Sequence, residues 1–118
     1  MYGLPIDFEP RAFVGQELVQ VSFTINTVHL IFDKDTTITI ESTYAVGLSP
    51  DTAAMKQSPP VKSSNLMALL GRKVTEANAT VEGTLTLVFE GHEHLWCFDD
   101  SEQYESYHIR IQEREIIV

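Results

Sequence analysis

Residues Phe13 to Glu41 read FVGQELVQVSFTINTVHLIFDKDTTITIE, and residues Leu69 to Phe98 read LLGRKVTEANATVEGTLTLVFEGHEHLWCF. The two stretches align with one added residue near Gly83. Gly15 then falls on Gly71, Val19 on Thr75, Val21 on Ala77, Phe23 on Ala79, Leu30 on Leu87, Phe32 on Phe89 and Ile38 on Leu95. The match lies in pattern more than in identity. Self-similarity at such a period means one supersecondary unit used twice, so it decides the architecture before any residue is given a job.

Within the first stretch, Val19, Val21, Phe23 and Ile25 alternate with Gln20, Ser22, Thr24 and Asn26, the period of a strand with one buried face. Val28, Leu30 and Phe32 continue it, and Ile38 and Ile40 resume it after Asp33 to Asp35. The second stretch repeats the scheme with Thr75, Ala77, Ala79 and Val81, then Leu85, Leu87 and Phe89, then Leu95 and Cys97. Gly83 and Gly91 fall where tight turns need them, and Gly71 falls where a helical segment must end. The expected fold is mainly β: two three-stranded antiparallel meanders packed as a small sandwich or curled into a barrel.

The whole chain, residues 1–118, reads as one domain, with repeat units at 13–41 and 69–98 and a linker at 42–68. The linker predicts one or two short helices: one from Ser49 to Gln57, stopped by Pro59 and Pro60, and one over Leu66 to Leu70 behind Ser63, Ser64 and Asn65. Residues 106–118 read as a C-terminal hairpin.

Composition narrows the class. A hydrophobic fraction of 43% with 21% charged residues is that of a globular chain. The longest apolar run, Leu66 to Leu70, is far short of a membrane span, and the start MYGLPIDFEPRAF lacks the basic end and apolar stretch of a secretory signal. A cytoplasmic address is expected, in keeping with the single Cys97. Net charge is −9, and its placement is uneven. Between Lys73 and Arg110 there is no Lys or Arg, while Glu76, Glu82, Glu90, Glu93, Asp99, Asp100, Glu102 and Glu105 are all acidic. Nucleic acid and anionic lipid are poor partners for such a chain, because phosphate binding relies on Lys and Arg. A basic protein is a better one.

The two units differ most at their third strand. Outward positions Asp35, Thr37, Thr39 and Glu41 in the first correspond to His92, His94, Trp96 and Phe98 in the second. This stripe, with Asp99, Asp100, Glu102 and Glu105 after it, is the candidate binding surface. A covering element from the linker or the hairpin is the competing reading, since a strand apolar on both faces usually lies under something. His92 and His94 also make a weak metal pair, being two apart on one strand, but no second pair stands at ligand spacing. No cofactor is implied. His29 sits on the outward side of its strand and His108 in the tail, neither beside a residue that would make it a catalytic base. No serine elbow or phosphate loop is present, and Cys97 falls on the inward face, so no catalytic residue is assigned. The triplet Asn78, Ala79, Thr80 matches a glycosylation site but lacks the secretory context.

At Tyr104, Glu105, Ser106, Tyr107 the chain resembles a group of small bacterial proteins of unknown function whose tail carries a YESW-like signature. Leu69, Leu70, Gly71 and Val74, then Gly83, Leu85, Leu87 and Phe89, match the group's second-half pattern, with Tyr107 where Trp is usual. The resemblance implies a fold and no activity. Some such small acidic bacterial proteins look like immunity proteins that neutralise toxins, a likeness by analogy. Tyr104 or Tyr107 is expected to anchor the tail through its hydroxyl. The expected function is a non-enzymatic protein-interaction module, immunity-type in its sharpest form. The alternative is a homo-oligomeric or small-ligand-binding β protein, with a metal enzyme behind both.

Overall fold

The computed structural model describes residues 4–5, 7–48, 56–59, 65–99, 106–111 and 114–118. Strands β1 (Leu18–Phe23), β2 (Val28–Phe32) and β3 (Thr36–Ile40) form the first antiparallel meander. β4 (Tyr44–Gly47) then lies in the segment expected as linker. β5 (Val74–Ala79), β6 (Leu85–Phe89) and β7 (His94–Cys97) form the second meander. β8 (Tyr107–Ile111) and β9 (Arg114–Ile117) make the C-terminal hairpin.

The fourth strand after each meander crosses to the other sheet. β4 pairs with β7 and β8 pairs with β3, giving a five-stranded sheet β1-β2-β3-β8-β9 and a four-stranded sheet β4-β7-β6-β5. Tyr44 lies opposite Cys97 and Tyr107 opposite Ile40, and Ile40 aligns with Cys97 in sequence, so the crossing strands occupy matching places. Local geometry matches as well. 3-10 turns at Pro10–Phe13 and Leu66–Leu69 precede the two meanders. Gly15 N–H donates to the Val74 carbonyl as Gly71 N–H donates to that of Leu18. Asp33 N–H donates to Glu17 as Glu90 N–H donates to Lys73. Asp35 and His92 both take positive φ in the second turn of their meanders, at 56° and 71°. Glu17 and Lys73 meet in an isolated bridge where the halves touch.

One hydrophobic cluster spans both sheets. Leu30, Ile38, Ile40, Tyr107 and Ile109 enter it from the five-stranded sheet and Tyr44, Leu85, Leu87, Leu95 and Cys97 from the other, all fully buried. Each large apolar side chain so buried contributes about 1.5–3 kcal/mol. Phe13, Phe32 and Phe89 close the end near the Glu17–Lys73 bridge through edge and stacked ring contacts.

The sequence pattern loses phase at one point in each meander. A β-bulge between Leu18 and Gln20, repeated between Val74 and Glu76, inserts one residue. Leu18 and Val74 take the buried places, and Val19 and Thr75, expected inward, are exposed. Ile25 and Val81 lie in the turns after β1 and β5 and are exposed. The helix expected over Leu66 to Leu70 is the short 3-10 turn. That expected from Ser49 to Gln57 lies largely outside the described residues, and Gln57 itself bridges to Tyr44 in extended backbone.

Candidate functional site

Of the expected binding surface, the structure describes His92, His94, Trp96, Phe98 and Asp99; Asp100, Glu102 and Glu105 lie outside the described residues, as does Tyr104. His94 and Trp96 share the outer face of β7, their rings stacked 5.2 Å apart. Trp96 is nonetheless buried, as are Val88 and Ala45 on the same face of the neighbouring strands. His92 stands in the turn, and its carbonyl accepts a 2.9 Å hydrogen bond from Nδ1 of His94. That bond places the ring proton on Nδ1. Phe98 is half-buried with the Lys56 ammonium 4.4 Å over its ring. The described residues contain no group of three His, Cys, Asp or Glu side chains arranged to hold a metal.

Asp99 is turned inward. It accepts a 3.0 Å hydrogen bond from the Ser106 hydroxyl, and beside it the Tyr107 hydroxyl donates to the Gly83 carbonyl at 2.5 Å. A Cβ built on Gly83, whose φ is +97°, would stand 2.6 Å from Asp99 Oδ2. These four residues tie the β5–β6 turn to the start of β8. Cys97 lies in the core, where burial pushes its thiol up to about 12. Burial is also the chief cause raising the Tyr107 phenol, with the charges of Cys97 and Asp99 adding to it. Both groups are held neutral, the state in which a thiol and a phenol are poor nucleophiles. Gly71 and Gly91 take φ of +81° and +88°, and the Arg72 guanidinium passes over Gly91 to pair with Glu93.

The outer face of the five-stranded sheet carries a polar group that the sequence pattern did not bring together. Register places His29, Thr39 and His108 in one cross-strand row and Thr37, Arg110 and Glu115 in the next. A shallow depression of about 250 Å³ lies between Thr37, Thr39, His108, Arg110 and Glu115. The His108 ring stands between two carboxylates, Nε2 3.4 Å from Glu41 and Nδ1 3.6 Å from Glu115. Nε2 is shut off from solvent and finds no hydrogen-bond partner among the described residues. His29 bonds Thr39 through Nδ1 at 3.1 Å and Thr27 through Nε2 at 2.9 Å. The signal in the sequence was the alternation of His108 and Arg110 with Ile109 and Ile111. It marks an outward face but not the strand beside it.

The sheet edges are unequal. β4 is capped by Gln57, whose N–H and carbonyl both bond Tyr44 at 2.9 Å. β9 is four residues long and carries Arg114, paired with Asp7, and Glu115. β5 bears Glu76, and its far end shares a depression with Leu4, Pro5, Phe8 and Pro10. β1 is six residues long without a charge or a proline, and Val19 and Phe23 on it are 49% and 37% exposed. From the Thr24 N–H to Thr27 carbonyl bond, antiparallel alternation turns the N–H and C=O of Val21 and Phe23 away from β2.

No helix among the described residues is long and apolar enough to cross a membrane. A profile described as a family of unknown function (DUF6188) matches residues 10–118. No curated protein and no solved structure matches the chain.

Proposed function

Since the chain belongs to the family of unknown function DUF6188, we propose for it a role as a non-enzymatic protein-interaction module. The β1 edge carries this reading. An uncharged edge with unpaired backbone and exposed aliphatic side chains is a template for another strand, and proteins blunt such edges unless they use them. Here β4 is capped, β9 is short and charged, and β5 bears Glu76, while among the described residues β1 has no such protection. The matching geometry of the two halves supports reading the chain as a single domain built from a duplicated unit, within which β1 and β5 have diverged. A cytoplasmic address goes with this reading.

The test compares proteins retained by the immobilised full chain with those retained by Val19→Lys and Phe23→Lys, whose lysines oppose strand pairing. A partner held by the parent and lost from both folded variants supports the module. Equal retention by all three, or turnover of a bound molecule, overturns it.

A second reading, an immunity-type inhibitor of a basic partner, draws on the acid-rich stretch from Glu76 to Glu105. Beside that stretch the Phe98 ring carries the chain's own Lys56 ammonium, 4.4 Å over its centroid. This form requires an affinity that collapses as salt rises; salt-independent binding removes it.

A further inference from the structure

We propose that the β1 edge receives a second copy of this chain, strand against strand and antiparallel, so that two five-stranded sheets join across a twofold axis. The proposal rests on reading the chain as a protein-interaction module, and it names the partner.

Polarity along the strand is the first ground. Val19, Gln20, Val21, Ser22, Phe23, Thr24 and Ile25 alternate apolar and polar, and the alternation reads the same from either end. With Ser22 on the axis, Val21 lies opposite Phe23 of the second copy and Gln20 opposite its Thr24, and the bulge residue Val19 comes to the Ile25 turn. Every apolar residue meets an apolar one and every polar residue a polar one, which an isologous contact requires. Val21 and Phe23 are the two residues whose backbone groups point away from β2, and this register makes them the hydrogen-bonded pairs of the new ladder. The faces also agree: Val21 and Phe23 lie on the core side and Gln20 and Ser22 on the outer side, as continuation of one sheet demands.

Charge is the second ground. A chain of net charge −9 repels its own copy unless the two meet where charge is missing. From Leu18 to Phe32 there is no Asp, Glu, Lys or Arg. The nearest acids, Glu17 and Asp33, are bonded to each other at one end of the hairpin, Asp33 Oδ1 accepting from the Glu17 N–H at 3.1 Å. Parallel pairing would set these acidic ends side by side. Antiparallel pairing sets each beside the uncharged Thr24–Thr27 turn of the other copy, about 30 Å from its counterpart at roughly 3.3 Å per residue, well beyond the screening length of about 8 Å at physiological salt.

Sedimentation equilibrium of the full chain across micromolar concentrations tests this, with hydrogen exchange read at the Val21 and Phe23 amides. The expected result is a dimer of twice 13.3 kDa with both amides protected as concentration rises. Val19→Lys and Phe23→Lys are expected to return it to monomer; Val19 is half-exposed, so its variant keeps the core even if Phe23→Lys does not fold. A parent that stays monomeric, or a dimer whose mass neither variant changes, overturns the proposal. If a monomeric parent shows both amides protected by an added (Val-Thr)₃ peptide, the second copy is overturned and the interaction reading stands. If that peptide protects neither amide, both fall.

Discussion

Phe32 and Phe89 stack with ring centroids 6.5 Å apart and planes 18° from parallel, and each holds in its own half the place the other holds in the second. The pair lies where the halves meet, with Phe13 packed edge-on against Phe32. Removing either ring opens a cavity that neither sheet can close alone. Phe32→Ala and Phe89→Ala should each cost about 3–5 kcal/mol in urea unfolding. A double-mutant cycle should show a coupling of about 0.5–1.5 kcal/mol beyond area burial. Additive losses would mean that the rings do not sense one another.

Gly83 and Gly15 both take positive φ, but their surroundings differ. A Cβ on Gly15 meets nothing within 4 Å, whereas one on Gly83 runs into Asp99. Gly15→Ala should cost about 1–2 kcal/mol from backbone strain. Gly83→Ala adds overpacking and should cost roughly 2–5 kcal/mol. Tyr107→Phe leaves the Gly83 carbonyl without its donor and should cost about 1–3 kcal/mol. Thermal unfolding of the three variants checks the order.

Alkali should weaken the fold. Folded Cys97 stays protonated where an unfolded thiol ionises, so its contribution is whole below the ordinary value of 9.0 and is lost as pH rises toward about 12. Tyr107 acts in the same direction at still higher pH. Unfolding midpoints should fall across that window, and Cys97→Ala should flatten the fall. A thiol reagent should leave the native chain unlabelled and react fully in denaturant.

Trp96 reports on the outer face of β7. Its burial predicts a blue-shifted emission with little quenching by acrylamide. His94→Ala removes the ring stacked on it and should raise the quenching constant while changing stability by about 1 kcal/mol or less. Unchanged quenching would show that His94 does not shield the indole.

The sequence was most legible where contacts are local. Alternation and turn residues placed β2, β3, β6 and β7, because a hairpin is encoded within a dozen residues. Val19 and Thr75 were misread because a bulge depends on how two strands meet, and period alone does not carry it. β4 escaped notice because Tyr44, Ala45 and Val46 are buried on both faces and show no alternation. The group around His108 was illegible for a different reason. His29, Thr39 and His108 become neighbours through the pairing of β3 with β8, across most of the chain. The contrast between the third strands was read directly. Trp96 is buried, in keeping with the competing reading of a covered strand, and among the described residues the uncharged open edge is that of β1, in the first half.

Because each crossing strand completes the opposite sheet, folding waits on distant partners. β3 has one side unpaired until Tyr107–Ile111 arrives some seventy residues later. During synthesis the first meander therefore emerges with two open edges, and a late-arriving strand must close one of them. Slow, late commitment to the native state, with a dependence on chaperones while β3 stays bare, is the kinetic consequence of the exchange of β4 and β8.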